Sequence, residues 1–220
     1  MSEAATFLFA DLAGYTALTE AHGDEYAADL AHDFASKVRS WLPEFGDASA
    51  KLIGDALMIR LEEASSALGL GLAIVERTSD TPRYPHVRVG INSGSAAKRG
   101  DDWFGAAVNL AARVAAVAES CEVLLTQSTA DLLGELPDIE LESLGERRFR
   151  NVTRPTPVFR ASRRGWPAPD LSVDPVCRMS LRGEQPVRVL VHDGREFHFC
   201  SQACAELFAS DPGAYGGNAV

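Results

Sequence analysis

Apolar and polar positions follow two rhythms along this chain, and each change of rhythm marks an element. Residues 5–12, Ala-Thr-Phe-Leu-Phe-Ala-Asp-Leu, are almost continuously apolar and β-prone, which predicts a buried strand ending at Asp11 before Gly14-Tyr15-Thr16. Between Asp24 and Trp41, Tyr26, Leu30, Phe34 and Val38 recur at four-residue spacing with Ala27 and Ala31 beside them, the signature of one helix face; Pro43 and Gly46 close it. Ser49–Leu61 reads as a hairpin with its tip at Gly54-Asp55. Glu62–Arg77, rich in Ala and Leu, predicts a helix ended by the polar run Thr78–Pro85, and His86–Asn92 a strand.

Ser93–Gly105 is Gly-rich and charged, so a loop is expected, followed by a helix over Phe104–Glu119 with Val108, Ala112 and Ala115 at helical spacing. Glu122–Thr126 predicts a short strand. Ser128–Leu136 predicts a short helix with Ser128 as cap and Asp131 three residues on, and the segments near 139–144 and 156–161 read as strands. The order β-α-β-β-α-β with additions predicts an α+β fold of ferredoxin-like type, an antiparallel sheet with helices on one face. This domain is expected over residues 1–162. Residues 163–172, with Arg163, Arg164, Gly165, Pro167 and Pro169, have linker composition. A second unit is expected over 173–216, with a tail at 217–220. At under about 50 residues it is small for a core of its own, so a bound metal or a partner surface is expected to help hold it.

Composition narrows the function classes. The 220 residues are 46% hydrophobic with a formal charge of −10, which suits a globular protein and repels phosphodiester backbones. No basic stripe with interleaved aromatics occurs, so nucleic acid is not an expected partner, and an anionic small ligand would need metal ions to shield it. No apolar run reaches the roughly 18 residues of a membrane helix, and Glu3 stands where a signal peptide would carry Lys or Arg. No membrane partner is therefore expected, and the expected location is the cytoplasm. Of four cysteines, three (Cys177, Cys200 and Cys204) fall in the last 44 residues, and in a reducing compartment they suit metal ligation or inert thiols better than disulfides.

Lys51 and Asp55 are opposite charges four residues apart at one hairpin, which suits a local salt bridge. Asp11 suggests otherwise for Asp55. Two carboxylates brought together repel, and a divalent cation relieves them; Asp11 beside Asp55 would make a platform for two Mg²⁺ ions about 3.5–4 Å apart. Taken singly, Asp11 also suits a helix cap and Gly54-Asp55 a turn dipeptide. Asn109 and Arg113 share one helix face, which also suits a solvated surface.

Together these segments resemble a known family. Phe9-Ala-Asp-Leu-Ala-Gly-Tyr-Thr16, Lys51-Leu-Ile-Gly-Asp55, Asp102-Trp-Phe-Gly105 and Val108-Asn-Leu-Ala-Ala-Arg113 are similar, in order, to the signatures of class III nucleotidyl cyclases, a resemblance spanning roughly residues 5–162. It implies conversion of a nucleoside triphosphate to its 3′,5′-cyclic monophosphate and pyrophosphate, with two Mg²⁺ or Mn²⁺ ions per site, at a homodimer interface. By match to the family, Asp11 and Asp55 hold the metals, Lys51 and Asp102 read the purine, Asn109 positions the ribose and Arg113 stabilises the transferring phosphate. Lysine donates to adenine N1 and aspartate accepts from the 6-amino group, so ATP is the expected substrate. The family's lysine near the triphosphate has no clear match; Arg150 is the nearest candidate, with the charge but not the point geometry. The segment between Gly94 and Asp102 is short beside that of animal cyclases and resembles a bacterial subgroup.

At the other end, Asp174-Pro-Val-Cys177 and Phe197-His-Phe-Cys200-Ser-Gln-Ala-Cys204, followed by Phe208 and Asp211-Pro212, resemble the YHS domain, a relative of the TRASH metal-sensing modules. Cys200 and Cys204 are expected one turn apart on a helix, and with Cys177 could bind Zn²⁺ or Cu⁺; the alternative is three buried apolar thiols in a metal-free fold. For a fourth ligand, His192 and His198 are the candidates, although strand alternation turns His198 away from Phe197 and Phe199. Cys121 is expected to be core. The sequence thus predicts an adenylate cyclase regulated by the metal or redox state of its second unit. A catalytically silent cyclase-like signalling module and a guanylate cyclase are the alternatives. A diguanylate cyclase lacks support, since no Gly-Gly-Asp/Glu-Glu-Phe signature occurs.

Overall fold

The computed structural model describes residues 2–166, 173–181 and 186–215. Most of the expected linker, 167–172, and the expected tail lie outside the described residues. The fold is α+β, as its order of elements predicts, and it is built on one strand. β1 (Ser2–Leu12) pairs antiparallel with β3 (Ala56–Leu61) on one side and β4 (Val87–Arg99) on the other. The sheet continues outward through β2 (Ala48–Ile53) beyond β3, and through β6 (Val123–Thr126), β8 (Thr156–Arg163) and β7 (Ile139–Arg147) beyond β4, with β5 (Asp102–Phe104) paired to the far end of β4. The β4–β6 pair runs parallel, which makes the sheet mixed.

Alternation along β1 divides the core in two. Leu8, Ala10 and Leu12 face a cluster closed by α2 (Asp24–Trp41) and α3 (Ala64–Ser79), through Phe34, Val38, Leu68 and Leu72. The expected face of α2 holds for Ala27, Ala31, Phe34 and Val38, whereas Tyr26 is exposed. Phe7 and Phe9 face the other side, under Trp103 and α4 (Ala106–Ala116), so helices cover both faces. Contact with α4 is close. A β-carbon on Gly90 would lie 2.0 Å from the Ala115 nitrogen, and buried Asn92 donates from Nδ2 to the Ala107 carbonyl at 3.0 Å while accepting from Thr126 Oγ1 at 2.7 Å. Position and tilt of α4 are fixed by these contacts.

Two local expectations are corrected. Ser93–Gly105 is not a loop: β4 runs on to Arg99 and returns as β5, because the N-terminal residues of β1 supply a pairing edge, with Glu3 opposite Ala96 and Ala5 opposite Gly94. Ser128 does not cap a helix to Leu136. The helix there, α5 (Gln127–Ala130), is one turn long, and the Ser128 hydroxyl is spent on Asn92 Oδ1 at 3.0 Å. An element with no sequence signal also appears, α1 (Tyr15–His22), bounded by Gly14 at φ 72° and Gly23 at φ 87°.

The C-terminal residues form a small hairpin of β9 (Arg188–His192) and β10 (Arg195–Phe199), then α6 (Gln202–Ser210) and a last turn, α7 (Pro212–Tyr215). They do not close a core alone. Leu18 of α1 and Ala27 of α2 are buried in the same cluster as Val176, Phe199, Cys204 and Phe208. Backbone bonds add to this seam: Ser180 donates to the Tyr84 carbonyl at 2.9 Å, His86 to that of Arg178 at 3.0 Å and Arg83 to that of Ser180 at 2.9 Å. The surface expected to help hold a unit this small is thus α1 and the strand entering β4.

Gly90→Ala should cost about 3 kcal/mol, since the contact lies against backbone that cannot move without displacing α4. Urea denaturation checks this, with Gly134→Ala, which meets nothing within 4 Å, expected to change stability little.

Candidate functional site

Asp11 occupies the last register position of β1 against β3, opposite Ala56, and stands opposite Arg88 on β4 one residue before β1 ends. Asp55 is the second residue of the two-residue turn between β2 and β3, a turn made possible by Gly54 at φ 63°. The two carboxyls therefore meet, and the encounter is legible in the protonation of Asp55. The Asp55 carboxyl is pushed up to about 6, by burial first and next by the charge of Asp11. The Tyr15 hydroxyl is raised as well, by burial and then by Asp55. Arg88, a residue the sequence patterns did not single out, offsets the charge. Its Nε donates to Asp11 Oδ2 at 2.8 Å and its Nη2 lies 2.5 Å from the same oxygen. The signal was present: in the strand Val87-Arg88-Val89, alternation turns Arg88 to the side opposite its buried neighbours, the side of Asp11.

Lys51 does not bridge to Asp55. It stands opposite Met58 in the β2–β3 ladder, and its Nζ donates to both Asp102 carboxylate oxygens at 2.6 Å. The β4–β5 hairpin brings Asp102 there. With Ser49, Met58, Lys98 and Trp103 this pair lines a cavity of about 650 Å³, separate from the one that Asp55 lines. The ion pair is half-exposed on the lysine side, so it is worth at most about 1 kcal/mol and yields readily to a ligand that satisfies both groups.

Asn109 and Arg113 lie on the outer side of α4, and among the described residues neither side chain has a hydrogen-bond or ion-pair partner. They reach neither cavity within one chain. Arg150 is exposed in the turn after β7, beside Phe149, whose ring is buried in a cluster with Val114 of α4. The chain thus holds three separated sets, Asp11 with Asp55, Lys51 with Asp102, and the Asn109–Arg113 face.

The cavity at Asp55 measures about 770 Å³ and has two walls: Gly14, Tyr15 and Arg88 on one, and Val176, Arg178 and Tyr215 of the C-terminal unit on the other. His86 also lines it. Burial, then the Arg178 charge, lowers its imidazole to about 4, so it is neutral at physiological pH.

Among the cysteines, Cys121 stands alone, its thiol pushed up to about 12 by burial, as suits a core residue. The other three meet. Cys177 Sγ lies 3.5 Å from Cys200 Sγ, which lies 3.8 Å from Cys204 Sγ. Thiol hydrogen bonds from Cys177 and Cys200 hold Cys204 far below the usual thiol range, and Cys177 is pushed up chiefly by its bond to Cys200. Cys200 is not on a helix with Cys204, as its spacing suggested; it precedes the cap residue Ser201, whose hydroxyl accepts from the Cys204 N–H at 3.1 Å. Neither histidine expected nearby takes part. His192 packs edge-on against Phe208 and His198 lies 3.9 Å from Glu196, while the imidazole at the cluster is that of His22, at the end of α1. No sequence spacing links residue 22 to residues 177–204.

With this geometry established, comparison with known proteins is informative. Residues 1–156 match the model of the adenylate and guanylate cyclase catalytic domain, and residues 172–219 that of the YHS domain. A pH-sensitive adenylate cyclase of Mycobacterium tuberculosis is 34% identical over 167 residues, 72% of this chain and 40% of that protein. An adenylate cyclase of Streptomyces griseus is 31% identical over 138 residues, covering 61% and 35%. The chain therefore spans well under half the length of these relatives. The crystal structure of the adenylyl cyclase CyaB from P. aeruginosa superposes with a TM-score of 0.63 at 23% identity, over 76% of this chain and 99% of that one. The guanylate cyclase domain of RhGC from Catenaria anguillulae, solved with GTP, gives 0.66 at 17% identity, over 74% and 98%. With 156 of its 220 residues matched and the same fold in solved cyclase domains, the chain belongs to the adenylate and guanylate cyclase catalytic domain family.

Proposed function

We propose that the protein is an adenylate cyclase, acting on ATP as a cytoplasmic homodimer. The observation that carries this is the separation of Lys51–Asp102 from Asp11–Asp55, two ligand-ready pairs whose members Lys51 and Asp55 share one hairpin but line different cavities. A lysine donor and an aspartate acceptor side by side match the N1 and 6-amino edge of adenine; guanine presents the opposite pattern. A carboxyl whose proton affinity is raised by a neighbouring carboxylate suits divalent cations, and the partly buried Arg88–Asp11 ion pair is a monovalent stand-in that such an ion displaces. Two Mg²⁺ or Mn²⁺ ions bound there would activate the ribose 3′-hydroxyl and shield the triphosphate.

The residues of this chain do the rest. Asp11 and Asp55 would hold the cations that shield the triphosphate; the 3′-oxygen gives up its proton to solvent and bonds to the α-phosphorus as the bond from that phosphorus to the oxygen bridging to the β-phosphate breaks, releasing pyrophosphate. Arg113 stabilises charge on the transferring phosphate, Asn109 holds the ribose, and Arg150 serves the triphosphate. Because Asn109 and Arg113 reach neither cavity of their own chain, the complete site draws them, with Lys51 and Asp102, from a partner copy. The C-terminal unit, which walls the Asp55 cavity, regulates the reaction through its metal or redox state.

Purified protein with Mn²⁺ or Mg²⁺ should form cyclic AMP from ATP in preference to cyclic GMP from GTP, and Asp55→Ala should reduce turnover about a hundredfold or more. Absence of either cyclic nucleotide at high enzyme would sink the proposal, and a GTP preference would reassign the substrate. Mixing Asp55→Ala with Arg113→Ala should recover about a quarter of wild-type activity, since half of the dimers hold one intact site of two. No recovery from verified heterodimers would refute the shared site. In metal-free protein, a carboxyl NMR titration of Asp55 should have its midpoint near 6. Asp11→Asn should move it down, because removing a neighbouring negative charge favours ionisation; a midpoint unmoved by Asp11→Asn would mean the two carboxyls do not interact.

A further inference from the structure

We infer that His22 completes a tetrahedral Cys₃His site with Cys177, Cys200 and Cys204, and that a Zn²⁺ ion held there fastens the C-terminal unit to α1 of the cyclase domain. Nothing in this depends on turnover. The four ligand atoms lie within 4.8 Å of one another. Zn–S bonds of about 2.3 Å and Zn–N bonds of about 2.0–2.1 Å give a regular tetrahedron with S···S edges of about 3.8 Å and S···N edges of about 3.6 Å. Two of the three sulfur edges are 3.5 and 3.8 Å, His22 Nε2 lies 3.5 Å from Cys200 Sγ and 3.6 Å from Cys204 Sγ, and the two remaining edges, both to Cys177 Sγ, are within 4.8 Å. These separations are far beyond the roughly 2.05 Å of a disulfide, and all three cysteines are free.

Each ligand is held from behind, as a metal site requires. Asp174, fully buried, accepts from the Val176 and Cys177 N–H groups through Oδ1, at 2.8 and 3.3 Å, and from the Cys200 N–H through Oδ2 at 2.8 Å. One carboxylate thus locks the two chain segments that present two of the sulfurs. Ser201 sets Cys204 at the start of α6. The His22 ring lies against Tyr26, one turn along, with centroids 5.2 Å apart, and the break at Gly23 ends α1 so that the imidazole projects toward the sulfurs. A closed set of three thiolates and one imidazole is the donor chemistry of a structural zinc site.

The position of His22 makes this a bond between units. α1 begins at Gly14, where a β-carbon would lie 3.0 Å from the Arg178 side chain and 3.1 Å from the Val176 carbonyl, and this same turn lines the Asp55 cavity. An ion at the far end of α1 therefore clamps the helix whose near end walls that cavity.

The reduced 220-residue chain should bind one Zn²⁺, with an X-ray absorption spectrum of three sulfurs and one imidazole nitrogen. No bound zinc, or four sulfurs, or three sulfurs and oxygen, would overturn the proposal. His22→Ala should weaken zinc at least tenfold in chelator competition and change the visible spectrum of the Co²⁺-substituted protein, while His192→Ala and His198→Ala should do neither. The reverse pattern would assign the nitrogen elsewhere. Chelation of the wild type should raise amide exchange across α1 and residues 173–178 together; exchange confined to the C-terminal unit would refute the clamp.

Discussion

Two carboxyls of like charge are held against each other where β1 leaves the sheet, and much of the surrounding structure makes that tolerable. Asp11 can stay beside Asp55 because the backbone holds both: β1 is paired with β4 over Ser2–Leu12 and with β3 over Thr6–Asp11, and the Gly54-Asp55 turn closes the β2–β3 ladder next to it. A looser scaffold would relax by moving the charges apart. Here the strain appears as a raised proton affinity at Asp55 and as the recruitment of Arg88, both reversible in favour of a cation of higher charge.

The hairpin that carries Asp55 also carries Lys51, and the fold gives them different partners. Lys51 finds Asp102 because β4 extends past the point where its composition turns Gly-rich and folds back as β5. On the other face of the sheet from α2 and α3, Gly90 and Asn92 hold α4 so closely that the outward direction of Asn109 and Arg113 follows from the sheet itself. The candidate reactive groups are thereby sorted into three separate sets, Asp11 with Asp55, Lys51 with Asp102, and the Asn109–Arg113 face.

The C-terminal unit is coupled to this arrangement through α1. Its apolar cluster borrows Leu18 and Ala27, its backbone pairs with residues 83–86, and its sulfurs converge on His22. A unit too small to bury a core finds the missing apolar surface, hydrogen bonds and nitrogen on one side of its neighbour, the side that also walls the Asp55 cavity. Motion of α1 is then felt by both.

Local chemistry was legible in the sequence wherever one element carried the whole signal. The four-residue spacing of Phe34 and Val38, the β-rich run before Asp11, the Gly54-Asp55 turn and the ordered motifs announced the α+β fold, the carboxyl pair and the cysteine group, because periodicity and turn propensity depend on near neighbours. What tertiary structure decided was every pairing across distance. It turned Ser93–Arg99 into strand by lending it the edge of β1, joined Lys51 to Asp102 rather than Asp55, set Arg88 on Asp11, and brought His22 rather than His192 or His198 to the cysteines. Those contacts join residues 51 to 182 positions apart, and no pattern within a window of the chain encodes them; they exist only once the sheet is assembled and the second unit has docked on α1.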